Sequence, residues 1–153
     1  MEIGGSIRRK KPDVGDIELI CIPTFAEVGT GQATLTGSET TVSENLLFGH
    51  LARHYHVMKM GEKYCQIATQ ELKVDVFSAT PETWGYILLL RTGPAKFSKF
   101  IVSELKKRGF TPKDGAIWLG DEPIPTIEEI VVFQHLLISY IEPECRFKDM
   151  MWK

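Results

Sequence analysis

A chain of 153 residues, 43% hydrophobic and 25% charged, has the balance of one compact globular unit and excludes a disordered or low-complexity protein. Its net charge of −2 excludes a surface that grips long nucleic acid by bulk charge, so any such contact must come from local patches and be weak and salt-sensitive. No apolar run approaches the roughly 18 residues of a membrane span, no signal-peptide pattern is present, and Cys21, Cys65 and Cys145 lie in no ligand spacing; these features predict a reduced, cytoplasmic protein without membrane contact.

Met1–Ile3 is barely long enough for a strand lead-in. Gly4-Gly5-Ser6 follows, and then, after Ile7, the four consecutive cations Arg8, Arg9, Lys10 and Lys11. Residues 6–11 predict a short helical turn whose electropositive start, at the Gly5 amide and Ser6, suits an anion. Pro12-Asp13-Val14-Gly15 is a turn by composition, and residues 15–22 predict a buried strand stopped by Pro23. On that strand Asp16 and Glu18 share one face while Ile17 and Leu19 turn to the core. Two carboxylates held side by side repel, and a bound divalent cation is the usual relief. A hydroxyl, amides and cations for a polyphosphate, then a pair of acids for metal, read as a nucleotidyl-transfer site.

Residues 24–41, rich in Gly, Thr and Ser, predict a loop. Ser43 is placed to cap a helix from about 44 to 55, with Leu46, Leu47, Leu51 and Tyr55 on its apolar side. Strands are predicted over 56–60 and 63–68, joined by a Gly61-Glu62 turn. Residues 71–78 alternate, which turns Val74 and Val76 inward and Lys73, Asp75 and Phe77 outward. Pro81 suits the first turn of a helix through about Leu90, stopped at Thr92-Gly93-Pro94. A second helix over 95–108 ends at Gly109 with Lys106, Lys107 and Arg108 complementing its dipole. A short strand over 116–119, a helix over 127–137 and the Pro143 region complete the chain, with a lobe boundary near residue 80.

Gly5-Ser6-x-Arg8-Arg9 followed by Gly15-Asp16-x-Glu18 resembles the palm signature of family X DNA polymerases, the DNA polymerase beta group. Lys73-x-Asp75 is similar to that family's third-carboxylate strand. Arg91-Thr92-Gly93-Pro94 with the basic helix and Lys107-Arg108-Gly109-Phe110 resembles the start of its thumb, and residues 122–146 resemble its C-terminal segment. The resemblance implies an α+β fold: a palm over 1–80 with a mixed, largely antiparallel sheet and helices, and a small, mostly helical thumb over 81–153. It implies a monomeric, template-directed polymerase that adds dNTPs to a primer 3′-hydroxyl at short gaps, in DNA repair. Asp16 and Glu18 would bridge two Mg2+ ions, with Mn2+ able to substitute, and Asp75 would hold the catalytic ion and accept a proton. Ser6 and Arg9, assisted by the Gly5 and Gly15 amides, would bind the β- and γ-phosphates. Thr92 and Gly93 would line the sugar pocket, and Lys73 would lie beside the primer terminus. Lys96, Lys99, Lys106 and Lys107 read equally as a solvated helix face or as DNA contacts.

The sequence departs from the family in four ways. Glu18 is one methylene longer than the usual Asp. Leu90-Arg91 stands where an aromatic pair usually precedes Thr-Gly and helps exclude the ribose 2′-hydroxyl. Pro94 replaces a Ser after a bond that is often cis, and proline lowers the cost of cis to about 0.5–1 kcal/mol. The lyase and helix-hairpin-helix domains that usually precede the palm are not part of this sequence, so processive synthesis is not expected.

Plainer readings stand beside these. Asp16 and Glu18 alone would read as a solvated strand edge; Gly-Ser-x-Arg-Arg and Asp75 turn them to function. Arg8, Lys10 and Lys11 read at most as general attraction for DNA, and His50, His54 and His56 as surface or partly buried histidines rather than a zinc site. Trp84, Trp118 and Trp152 read as packing, Phe97 and Phe100 as core. The rivals are a nucleotidyltransferase acting on RNA, protein or a small molecule, and a catalytically silent module that binds nucleotide or DNA.

Overall fold

The computed structural model describes the backbone of residues 1–33 and 39–146, and side chains outside 30–40. Its main sheet has five strands in the order β1 (Glu2–Ile3), β2 (Asp16–Cys21), β7 (Lys73–Ser78), β6 (Tyr64–Ala68) and β5 (His56–Gly61). Only the β2–β7 pair is parallel; the other three are antiparallel. The fold is therefore α+β with a mixed, largely antiparallel sheet, as expected.

Residues 24–41 do not stay an open loop. β3 (Phe25–Ala33) and β4 (Glu39–Asn45) pair antiparallel in a hairpin, with Val28 opposite Val42. Gly and Thr composition hid the strands, because the pairing is made by backbone groups that composition does not report. Lengthening of β4 through residue 45 also moves the next cap. α2 (Leu46–His54) is capped by Asn45, whose side chain accepts from the Phe48 amide at 3.1 Å; Ser43 lies in the strand. α2 buries Phe48 and Leu51 against Cys21, Cys65, Ile67 and Val76 on one face of the sheet, while Leu46 and Tyr55 are exposed.

Among the described residues, the opposite face is covered at one end and open at the other. α3 (Trp84–Thr92) packs Ile87 and Leu88 onto Ile20, Phe77 and Ala79, at the C-terminal ends of β2 and β7. Phe77 is thus buried rather than outward, since the face it shares with Asp75 becomes core at this end. Burying such a ring contributes about 1.5–3 kcal/mol. Pro81 precedes α3 in a turn, and the Gly93–Pro94 bond after it is trans.

A third cluster joins α3 to α4 (Ala95–Lys107) and α5 (Glu129–His135), with Leu89, Phe97, Ile101, Leu105, Val132 and Phe133 fully buried. Phe97, Ile101 and Leu105 fall at i, i+4 and i+8, one stripe of α4. Its end follows the glycine rule. The Gly109 amide donates to the Lys106 carbonyl and the Phe110 amide to the Leu105 carbonyl, with Gly109 at φ +86°. Beyond it β8 (Thr111–Lys113), β9 (Ala116–Leu119) and β10 (Glu122–Ile124) form a three-stranded antiparallel sheet, of which the sequence pattern marks only β9. α5 is shorter than the expected 127–137, and a 3-10 turn at Pro143–Cys145 follows it.

Candidate functional site

In the parallel β2–β7 pair, Glu18 lies opposite Asp75 and Asp16 opposite Lys73. Cross-strand partners share a face, and residues two apart on one strand share it as well. Asp16, Glu18, Asp75 and Lys73 therefore stand on one face of the sheet, just beyond the end that α3 covers. Lys73 and Asp16 are exposed; Glu18 and Asp75 are half-buried. Gln66 on β6 lies opposite Asp75 and donates to its Oδ1 at 2.8 Å. The Tyr64 hydroxyl donates to the same oxygen. Burial, reinforced by the bond to Asp75, pushes the Tyr64 phenol up to about 12, so it stays a donor at neutral pH.

Glu18 reaches back across α1 (Gly5–Arg8). Gly5 has φ +59°, and its carboxylate neighbour occupies the space where a Cβ would be. The positive φ is what calls for glycine there, and the Glu18 side chain would have to shift to admit a Cβ. The Gly4 amide donates to the Glu18 carbonyl at 2.8 Å, which fixes α1 to β2. Burial pushes the Glu18 carboxyl up to about 7, and the Asp16 and Asp75 charges add to this while Arg9 and Arg91 oppose it. The three acids and the two arginines thus share one electrostatic neighbourhood.

The neighbouring arginines at the end of α1 part company. Arg9 turns toward the acids and donates to the Thr92 carbonyl, while its Nε and the Ser6 Oγ are buried with no hydrogen-bond partner among the described residues. Arg8 points the other way, which corrects its reading as a surface charge. It makes a bidentate pair with Glu129 at 2.8 Å for both bonds and donates to the Thr92 hydroxyl at 2.8 Å. Glu129 also accepts from Arg146 at 2.9 Å and from Tyr140 at 3.1 Å. Burial alone would raise its carboxyl, but the bonds from Arg8 and Arg146 outweigh this and hold it below the usual carboxylate range. Glu129, Arg146 and Tyr140 escaped sequence reasoning because an acid at a helix start and a cation near a chain's end both read as solvated. The available signal was that Glu129, Tyr140 and Arg146 all fall within residues 122–146, the segment that carries the C-terminal resemblance.

Thr92 is fully buried, its hydroxyl accepting from Arg8 and its carbonyl from Arg9; Gly93 is half-buried against Phe97. Gly15 is exposed with open space around it, and Lys96 and Lys99 are exposed on the first turns of α4. Arg91 lies over the Phe77 ring at 4.0 Å. A cavity of about 360 Å³ lined by Phe25, Phe77, Ile87 and Arg91 lies beyond Phe77, and none of the three acids lines it. His50, His54 and His56 are exposed, and Trp118 carries Lys113 over its ring at 4.3 Å; Trp152 lies outside the described residues.

As the side chains stand, no three His, Cys, Asp or Glu groups among the described residues are drawn into a ready cation cluster. The donor chemistry nevertheless suits a hard divalent cation. The set consists of carboxylate oxygens on one face, and such an ion would offset the burial and, after it, the like charges that raise Glu18. The unpartnered Ser6 Oγ and Arg9 Nε are equally suited to anionic oxygens beside it. Comparison with protein-family models and with curated proteins finds no match to this chain.

Proposed function

We propose that this chain is a minimal nucleotidyltransferase of the family X polymerase kind, adding dNTPs to a primer 3′-hydroxyl at short gaps in DNA. The observation that carries the reading is the register that sets Glu18 beside Asp75, with Asp16 two residues away on the same face. On this reading Asp16, Glu18 and Asp75 hold two Mg2+ ions. When bound, these supply the Lewis acidity for in-line displacement at the α-phosphate. Asp75 Oδ2 is the carboxylate oxygen without a partner among the described residues and is the one available to an ion. Ser6 and Arg9 bind the β- and γ-phosphates beside the acids, with the Gly5 and Gly15 amides. Gly93 lines the sugar side, Lys73 meets the primer terminus opposite Asp16, and Lys96 and Lys99 meet DNA phosphates.

Gel-resolved extension of gapped DNA with each dNTP and rNTP, under Mg2+, Mn2+ or chelator, tests this. Addition of one or a few deoxynucleotides is expected with metal, and Asp16→Asn or Asp75→Asn should lower it by about 100- to 1000-fold, of the order of removing one electrostatic element of a site. Undiminished extension by either variant sinks the mechanism. A second reading is favoured by the engagement of Asp75 Oδ1 and the packing of Glu18 on Gly5: a module that binds nucleotide or DNA without turnover. Saturable nucleotide binding with no product under any metal or acceptor, RNA and protein included, would select it.

A further inference from the structure

Two donors converge on one oxygen of Asp75, and both come from β6: the Tyr64 hydroxyl and the Gln66 amide at 2.8 Å. Tyr64 and Gln66 are two apart on their strand, so both project onto the acid face, and Gln66 is the register partner of Asp75. The Tyr64 ring is already seated by stacking on Phe77, centroid to centroid 5.1 Å, and Phe77 is packed under α3 and carries Arg91 above it. The hydroxyl therefore adds nothing to packing. What it does is turn a carboxylate. A lone Asp side chain rotates about its last bond with little cost, whereas two hydrogen bonds on one oxygen fix that rotation.

We propose that Tyr64 and Gln66 are positioning residues for Asp75: they draw Oδ1 toward β6 and so present Oδ2 toward β2, where it completes a divalent-cation site with Asp16 and Glu18. The inference rests on the proposed function and deepens it, because it assigns to β6 a part in metal binding that lies outside the carboxylates themselves. Such outer-shell hydrogen bonds orient ligands, and their loss costs about 10–100-fold in metal affinity.

The test is Mn2+ binding to the full chain, followed by the electron paramagnetic resonance signal of free Mn2+, for the parent, Asp16→Asn, Tyr64→Phe, Gln66→Met and the Tyr64/Gln66 double variant. Thermal unfolding is recorded alongside. The parent should bind Mn2+ and Asp16→Asn should lose it, which marks the ion as the one at the carboxylates. Tyr64→Phe keeps the ring on Phe77, so its unfolding midpoint should stay near the parent's while its Mn2+ affinity drops about tenfold. If that variant fails to fold, Gln66→Met reads the second bond to the same oxygen and should show the same direction. Affinity equal to or tighter than the parent's in the folded variants overturns the proposal and leaves the proposed function standing, since the bonds then hold Asp75 away from the ion or have no bearing on it. Absence of binding in the parent, or undiminished binding in Asp16→Asn, removes the proposed metal site and this proposal together.

Discussion

Glu18 is pressed from three sides: Gly5 beneath its carboxylate, Asp16 two residues before it and Asp75 across the strand pair. Burial is the largest cause of its rise from 4.5 to about 7, and like charge is the second. The consequence for stability has a definite sign. Between these two pH values the folded chain keeps a proton that the unfolded chain has released, so this group's contribution is full below about 4.5 and is lost as pH rises through about 7. Glu18→Gln should abolish that slope and make the chain more stable than the parent at pH 8 by about 1–2 kcal/mol, after discounting for solvent screening. Thermal unfolding midpoints of both proteins across pH 4 to 8 check this; parallel curves would contradict it. The extra methylene of glutamate belongs to the same picture. It lets the carboxylate reach back to the glycine that an aspartate at this position would leave uncovered.

At the scale of elements, the decisive contact joins α1 to α5. Glu129 carries one negative charge between two guanidiniums, and Arg146 is wholly buried. Removing one partner from a buried ionic group strands the others, at a cost of about 3–5 kcal/mol. Glu129→Ala should therefore destabilise the chain by that amount in urea denaturation. An effect below about 1 kcal/mol would mean that the network is not buried as described. The pairing also explains which elements could be read in advance. β2, β7, α3 and α4 announce themselves by alternation, by a helical stripe or by a glycine stop, all properties of neighbouring residues. The β3–β4 hairpin does not, because its Gly- and Thr-rich segments have turn composition and only their mutual pairing makes them strands. Ser43 and Asn45 are both capping residues, and where β4 ends decides between them.

Over the whole molecule, the acids were legible as a pair on one strand and as a third on another, but their alignment was not. The register of Glu18 against Asp75 depends on two strands far apart in sequence, joined parallel, which no local pattern encodes. Phe77 shows the same limit from the other side. Alternation puts it on the acid face, and only the placement of α3 decides that this face is open at Asp75 and closed at Phe77. The net charge of −2 bears on the molecule's use as well. If Lys73, Lys96 and Lys99 are its phosphate contacts, the logarithm of affinity for gapped DNA should fall against the logarithm of salt with a slope of about −3. Fluorescence anisotropy over a salt series measures it, and a slope steeper than about −6 would require a much larger basic surface than these lysines supply.

The bond between Arg8 and Glu129 spans 121 positions of the chain. During synthesis at about 5–20 residues per second, roughly 6–24 s pass between the making of the arginine and the making of its acid. For that interval the Arg8 guanidinium lacks its carboxylate partner on α5, and once residue 92 is made it has the Thr92 hydroxyl to donate to. Arg8 is made well before the acid that pairs with it, so a nascent chain has Asp16, Glu18 and Asp75 before it has the Arg8–Glu129 bond.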